Sequence, residues 1–140
     1  MEYFYQTQLR LFFILPFIQG GELYKIFKVH QRFEESVAKF FAAQIIIGIQ
    51  KLHEQGIVHR DLKLENIMVD GNGYLKIIDF GLSTLLTENQ VATTQCGTPE
   101  YYAPEMLKDR RYGKDVDWWA VGILIYEMIF GVTPFFSPNR

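Results

Sequence analysis

The stretch that decides the fold is His59-Arg60-Asp61-Leu62-Lys63-Leu64-Glu65-Asn66. Three further motifs follow it in order: Asp79-Phe80-Gly81, Gly97-Thr98-Pro99-Glu100 and Ala103-Pro104-Glu105. Any one of these acidic residues alone would most often be a solvated surface carboxylate. Their joint order and spacing instead predict one shared site at which these segments meet.

Helix and strand patterns flank this stretch on both sides. Tyr3 to Ile18 predicts two short strands broken at residues 6–10, and Glu22 to Val29 a short helix. Ser36 to Gln55 predicts an amphipathic helix with Ser36 as its N-cap and Gly56 ending it. Three further elements are expected after the 59–66 stretch: a hairpin turning at 70–73, an irregular polar loop over Thr84–Gln95, and a helix over Asp117–Phe130 that is apolar nearly all round.

Composition limits the function classes. The 140 residues are 49% hydrophobic and 21% charged, which indicates one globular domain rather than a disordered chain. The net charge is −2 and no basic stripe is visible in the sequence, so nucleic acid is not expected as a partner. The single cysteine, Cys96, excludes a disulfide scaffold within the chain and favours a reducing compartment. Together with the lack of a secretory signal pattern, this favours a cytoplasmic location.

Residues 118–136 are apolar enough to raise the alternative of a membrane span. Glu127 lies in the middle of this stretch and Pro134 near its end. A carboxylate at the centre of a bilayer costs about 2.5–3.5 kcal/mol. We therefore expect a buried core helix and no membrane span.

With its ordered motifs, the chain resembles the eukaryotic serine/threonine protein kinases. Residues 13–22, 96–105 and Asp117-Trp118-Trp119 resemble in particular the group that contains the cyclic-nucleotide-dependent kinases and protein kinase C. The resemblance implies an α+β, protein-kinase-like fold: the last strands and hinge of the small lobe over 1–18, and most of the helical large lobe over 19–140.

The resemblance also implies roles in phosphoryl transfer from ATP to protein Ser or Thr hydroxyls. Asp61 is expected to act as the catalytic base and Lys63 to contact the γ-phosphate. Because hard cations prefer oxygen ligands, Asn66 and Asp79 are expected to hold Mg²⁺. Thr98 is expected to hydrogen-bond the catalytic Asp and Lys, although it could also be a plain turn residue before Pro99.

Further residues match the nucleotide pocket of the family. Pro16 and Ile18 fall where the hinge offers a carbonyl and an N–H to adenine, and Pro16 loses only a donor that is not needed. Leu15 would gate the back of the pocket and Met68 would lie beneath the adenine, but either could be ordinary core. Two acidic residues, Glu22 and Glu65, complete the nucleotide-binding set. Of these, Glu22 is expected to reach the ribose.

Three carboxylates match positions that receive substrate arginines in basophilic kinases: Glu22, Glu65 and Glu127. Since Arg–carboxylate pairs are bidentate and selective, we expect basic residues just upstream of the target Ser or Thr. For Glu127, a satisfied buried carboxylate is an equally weighted alternative.

The polar loop suggests regulation. Thr94 stands where the family carries an activating phosphothreonine, so an upstream kinase is an expected partner, with Thr93 as the competing site. Arg60 is the expected phosphate ligand. Where the family often has a second basic ligand, this chain has Thr84, which indicates weaker phosphate anchoring or no modification at all.

Three family elements do not appear in the sequence: a glycine-rich phosphate loop, a Val-Ala-x-Lys strand and the helix that carries the glutamate partner of that lysine. The chain is therefore expected to be a central part of a kinase catalytic domain, incomplete at both ends, with residues 1–140 alone poorly soluble and inactive. The alternative function is a truncated, catalytically inactive kinase-like binding module.

Overall fold

A computed structural model describes residues 1–87, 90–108 and 111–137. It contains four helices: α1 (Leu23–His30), α2 (Glu35–Glu54), α3 (Pro104–Lys108) and α4 (Asp115–Phe130). Seven short strands accompany them: β1 (Tyr3–Gln6), β2 (Leu11–Ile14), β3 (Gly21–Glu22), β4 (Ile57–Val58), β5 (Ile67–Val69), β6 (Leu75–Ile77) and β7 (Thr84–Leu85). Single 3₁₀ turns form at Leu64–Asn66 and Pro99–Tyr101. The mixture of helices and small antiparallel sheets confirms the α+β prediction.

Helix α2 forms where the sequence predicts an amphipathic helix, but its cap differs and two apolar residues of the expected buried face, Val37 and Phe40, lie exposed. The helix begins at Glu35, and the carbonyl of Glu34 accepts the N–H groups of Val37 (3.0 Å) and Ala38 (2.9 Å). Ser36 as N-cap was therefore wrong, because it already lies inside the first turn. The buried stripe consists of Ala38, Ala42, Ile45 and Ile49.

Helix α4 is buried along most of its length, as its apolar sequence predicts. It packs on α2 and begins two residues earlier than expected, at Asp115. It ends at Phe130 and is capped by Gly131, whose φ is +85° and where a Cβ would lie 2.8 Å from the carbonyl oxygen of Gln31. Within the described ranges, no helix combines the length and hydropathy needed to cross a bilayer.

The predicted hairpin is present and fixes the floor of the site. β5 pairs with β6 in antiparallel register, and the Asp70 carboxylate oxygen Oδ1 accepts the N–H groups of Asn72 (2.8 Å) and Tyr74 (2.9 Å) in the turn. β3 adds to the other edge of β5, which places Glu22 opposite Met68.

The described parts of the 84–95 segment, residues 84–87 and 90–95, are more regular than their polar sequence predicts, and residues 88 and 89 lie outside the described residues. β7 pairs with β4, and Ala92 forms an antiparallel bridge with Tyr112. Strands of two residues and single bridges show no sequence period, so tertiary pairing rather than local pattern creates them.

Two apolar clusters hold the 59–66 stretch in place. Leu62, Leu64 and Ile67 belong to the larger cluster, with α2 and α4. Val58, just before the stretch, belongs to the smaller one, with Tyr112 and Val116. The polar residues between these anchors are therefore fixed from both sides.

Candidate active site

The backbone of the 59–66 stretch is held by Asp117, which lies at the start of α4. Its Oδ2 accepts the N–H of His59 and its Oδ1 the N–H of Arg60, both at 2.9 Å. Oδ2 also lies 2.8 Å from Nε2 of His53. Asp117 is only 1% exposed, so these bonds replace the water that its carboxylate gives up. They hold Arg60 in the left-handed region, at a φ of +69°.

His59 links this stretch to the end of β6. Its Nδ1 accepts the N–H of Asp61 (3.3 Å), and its Nε2 lies 3.1 Å from the carbonyl oxygen of Ile78. A carbonyl only accepts, so this pairing assigns the proton of a neutral imidazole to Nε2. Both ring nitrogens are used internally, so His59 has a structural role in this stretch.

Asp61 is the centre of the polar cluster. Its Oδ1 accepts the Thr98 hydroxyl (2.8 Å), and its Oδ2 accepts the Lys63 ammonium (2.9 Å) and the Asn66 amide (3.0 Å). The Lys63 ammonium also donates to the Thr98 hydroxyl oxygen at 2.9 Å. Thr98 thus bonds both residues, as expected.

Opposing effects act on the Asp61 carboxyl. Burial raises its pKa, but the hydrogen bonds from Lys63, Thr98 and Asn66 and the Lys63 charge outweigh burial and lower the pKa below its usual value. The group is therefore an ionised acceptor at neutral pH.

Asp79 joins the cluster through the main chain. The N–H of Ile78 donates to the carbonyl of Asn66 at 2.9 Å, which brings the end of β6 beside the 3₁₀ turn. Asp79 itself has a φ of +60°, and its Oδ1 accepts the N–H of Gly81 at 3.1 Å. Its side chain remains exposed.

A cleft of about 660 Å³ opens beside Asp79. Nine residues line it: Leu15, Pro16, Phe17, Ile18, Met68, Lys76, Ile77, Ile78 and Asp79. Four of them, Leu15, Pro16, Ile18 and Met68, were predicted for the nucleotide pocket. Sequence reasoning missed the three on and just after β6, Lys76 to Ile78. Because Lys76, Ile77 and Ile78 are consecutive, the period-two alternation of a strand could not have indicated them. Glu22, Lys63 and Glu65 are not part of the lining.

The three predicted arginine-binding carboxylates differ in environment. Glu22 accepts a hydrogen bond from Lys25 at 2.7 Å and is partly exposed. Glu127 is 9% exposed and accepts the hydroxyl of Tyr101 at 2.5 Å. Burial raises the pKa of Glu127; the Tyr101 hydrogen bond lowers it, and the Glu65 charge raises it further. Glu65 and Glu127 thus act on one another electrostatically.

The side chain of Arg60 does not contact a hydroxyl of Thr94. Its Nε donates to the carbonyl of Leu82 (2.6 Å), and its Nη1 to the hydroxyl of Tyr112 (3.2 Å). The Tyr112 hydroxyl in turn donates to the main-chain carbonyl of Thr94. Sequence reasoning missed Tyr112, which carries no motif signal.

The oxygen atoms of the Asn66 amide and the Asp79 carboxylate fit a magnesium ion whose other ligands would come from phosphates. No group of three or more His, Cys, Asp or Glu side chains is arranged for a metal in the part of the chain that the structure describes. The Asn66 amide nitrogen is used by Asp61, at the main-chain oxygen (2.8 Å) and at Oδ2 (3.0 Å), so its amide oxygen is the atom left for a cation. Together with the exposed Asp79 carboxylate, it offers the oxygen ligands that Mg²⁺ prefers.

Comparison with known proteins identifies the family. The family model described as "Protein kinase domain" matches residues 1–140. The chain is 45% identical over 135 residues to cAMP-dependent protein kinase type 3 of Saccharomyces cerevisiae, covering 96% of this chain and 33% of that protein. It is 48% identical over 137 residues to protein kinase C eta type of Mus musculus, covering 97% of this chain and 20% of that protein.

A third relative is the cAMP-dependent protein kinase catalytic subunit of Schizosaccharomyces pombe, 45% identical over 135 residues and covering 96% and 26% of the two chains. The chain thus spans a third or less of these relatives. Because the match to the family model extends over every residue, the chain belongs to the protein kinase family.

Proposed function

We propose that this chain is part of an ATP-dependent kinase that phosphorylates Ser and Thr hydroxyls of proteins. The observation that carries the proposal is the Asp61 carboxylate, buried and hydrogen-bonded to Lys63, Thr98 and Asn66 beside the Asp79 cleft. Phosphoryl transfer requires positioned charge more than covalent chemistry by the protein, and this cluster supplies positioned charge.

Asp61 acts as the proton acceptor. The substrate hydroxyl oxygen forms the new bond to the γ-phosphorus, the bond from that phosphorus to the β–γ bridging oxygen breaks, and the hydroxyl proton passes to the Asp61 carboxylate. Because the carboxylate is ionised at neutral pH, it can accept this proton. Asn66 and Asp79 would hold Mg²⁺, which would supply charge neutralisation for the phosphates.

Lys63 and Thr98 orient the base and compensate its charge. The Lys63 ammonium is available to the γ-phosphate from its position beside Asp61, where it screens developing negative charge. Thr98 fixes the separation of the two groups by bonding both.

The adenine lies in the cleft next to Asp79. The main-chain carbonyl of Pro16 and the N–H of Ile18 are its hydrogen-bonding edge, and Leu15 and Met68 are its apolar surfaces. Glu22, opposite Met68 on β3 but outside the cleft lining, is the acidic residue that we assign to the ribose.

Substrate selection uses the acidic residues. The Glu65 charge raises the pKa of Glu127, so an arginine placed between the two carboxylates relieves that repulsion and forms paired hydrogen bonds. Glu22 provides a further carboxylate for an upstream basic residue. The preferred protein substrate therefore carries Arg or Lys before the target Ser or Thr.

Regulation and location are part of the same proposal. Phosphorylation of Thr94 by an upstream kinase places a phosphate in the segment that Arg60 already reaches through Tyr112. Division at residue 18 into a small and a large lobe and a cytoplasmic location stay predictions.

The test is nucleotide binding followed by turnover. A rise in melting temperature with ATP that requires Mg²⁺, together with transfer of the γ-phosphate to a basic Ser peptide, supports the proposal. Nucleotide binding without transfer, in the protein expressed with all its native flanking sequence, would indicate the inactive binding module instead.

A further inference from the structure

The hydroxyl of Tyr112 lies between the Arg60 side chain and the main chain of Thr94. Arg60 Nη1 donates to the hydroxyl oxygen at 3.2 Å, and the hydroxyl donates its own proton to the Thr94 carbonyl. Tyr112 is 2% exposed, whereas the side chain of Thr94 is exposed. One buried oxygen therefore links the 59–66 stretch to the polar segment around Thr94.

The main chain of Tyr112 reinforces the same attachment. The N–H of Ala92 donates to the carbonyl of Tyr112 (2.8 Å), and the N–H of Tyr112 to the carbonyl of Ala92 (3.1 Å). At its other end, Arg60 donates through Nε to the carbonyl of Leu82, the residue after Gly81. Arg60 and Tyr112 thus gather three segments: the 59–66 stretch, the residues after the 79–81 motif, and residues 92–94.

The chemistry of the hydroxyl suits a permanent tether. Burial raises the pKa of Tyr112 above its usual value, although the hydrogen bond from Arg60 lowers it in part. The phenol therefore keeps its proton at physiological pH and remains a donor to Thr94.

We propose that Tyr112 is a positioning residue that fastens residues 92–94 to Arg60 while Thr94 is unphosphorylated. The attachment of this segment then exists before modification. A phosphate at Thr94, which adds about −1.5 to −2 charges, would compete with the neutral phenol for the Arg60 guanidinium. Because charge-assisted hydrogen bonds are about twice as strong as neutral ones, the phosphate would take over the tether.

Hydrogen exchange tests the tether without any need for catalysis. Tyr112→Phe removes one oxygen atom, and Tyr126→Phe on α4 is the matched control at a partly exposed ring. The protein is expressed with its native flanking sequence. In the unphosphorylated form, we expect the peptide spanning 90–96 to exchange about three- to tenfold faster in Tyr112→Phe only, the change expected for loss of the one hydrogen bond from the hydroxyl to the Thr94 carbonyl. Peptides from α2 are expected to exchange at the wild-type rate.

The phosphorylated form provides the second half of the test. With phosphothreonine incorporated at position 94 during synthesis, Tyr112→Phe is expected to leave exchange over 90–96 unchanged. An equal effect in both forms would overturn the proposal, as would no effect in either. Faster exchange throughout α2 would also overturn it, because Tyr112 would then be a general core residue.

The role of Thr94 as a phosphorylation site rests on the proposed function, but the tether does not. Kinase assays of the same variants separate the two. If no variant transfers phosphate while the exchange pattern holds, the proposed function fails and the tether stands. If kinase activity is present and Tyr112→Phe lowers kcat equally with and without the phosphate, the tether fails.

Discussion

Asp117 fixes the backbone of Arg60: its Oδ1 accepts the Arg60 N–H at 2.9 Å, at a residue with a φ of +69°. The same carboxylate binds the N–H of His59. A left-handed non-glycine residue costs energy and persists where its surroundings impose it. The helix that carries Asp117 thus imposes the conformation of the proposed active-site stretch.

Loss of the Asp117 carboxylate is expected to be severe. Asp117→Ala leaves the buried N–H of His59 and the partly buried N–H of Arg60 without this acceptor, so the free energy of unfolding should fall by about 3 kcal/mol. Chemical denaturation measures the change, with Asp115→Ala, at the exposed start of the same helix, as the control. A loss no larger than that of the control would contradict the role given to Asp117.

Gly97 allows the close approach of the Thr98 segment to the 59–66 stretch. Its φ is +106°, and a Cβ there would lie 2.4 Å from the carbonyl oxygen of Arg60. Gly97→Ala is therefore expected to reduce stability by about 2–3 kcal/mol and to abolish phosphate transfer.

The matched control is Gly122→Ala, at an exposed position inside α4 where an added Cβ meets nothing within 4 Å. Since alanine favours helix over glycine by about 1 kcal/mol, this variant should gain stability. Thermal melts of Gly97→Ala and Gly122→Ala measure both effects. Equal shifts of the melting temperature in the same direction would contradict the close contact of Gly97 with the Arg60 carbonyl.

Thr98 should tune the acidity of Asp61. Thr98→Val removes a hydrogen bond to the carboxylate, so the pKa of Asp61 rises and the acid limb of the kcat profile moves to higher pH. kcat at neutral pH is expected to fall about tenfold. Thr98→Ser, which keeps the hydroxyl, should restore the profile; if Ser and Val behave alike, the hydroxyl is not the active feature.

The Glu127 carboxylate is expected to lower the stability of the fold at neutral pH and to contribute to the recognition of an upstream arginine. Its raised pKa means that the folded chain holds a proton that the unfolded chain releases, so stability falls as pH rises from the usual Glu value through the folded-state pKa. Glu127→Gln is expected to raise stability at pH 7 by about 1 kcal/mol and to match wild type in acid. Urea unfolding at several pH values measures the difference in stability between Glu127→Gln and wild type.

The same variant should lose the preference for upstream arginine in a peptide array. Glu34→Gln, at an exposed position before α2, is the control for both measurements. A Glu127→Gln protein that is less stable at pH 7 and retains its arginine preference would contradict the account of this carboxylate.

The sequence predicted the elements that carry strong local signals. The Asp70–Gly73 turn and the apolar run of α4 need little tertiary context, and both formed as expected. The short spacing from Asp61 to Asn66 likewise led to direct contacts between side chains.

What the sequence did not predict depends on contacts made across the fold. Tyr101 and Tyr112 look like ordinary aromatic core, and only the fold brings their hydroxyls to Glu127 and Thr94. The Thr84–Leu85 strand exists because Ile57–Val58 presents a free edge to it. Such pairings are long-range and leave no periodic trace.

The most direct test of the central claim is Mg²⁺-dependent transfer of labelled γ-phosphate from ATP to a basic Ser peptide by wild type and Asp61→Asn. The variant keeps the size of the side chain but cannot accept the hydroxyl proton. We expect kcat to fall by about 10²–10⁴ with nucleotide binding retained. Full transfer by Asp61→Asn would contradict the account.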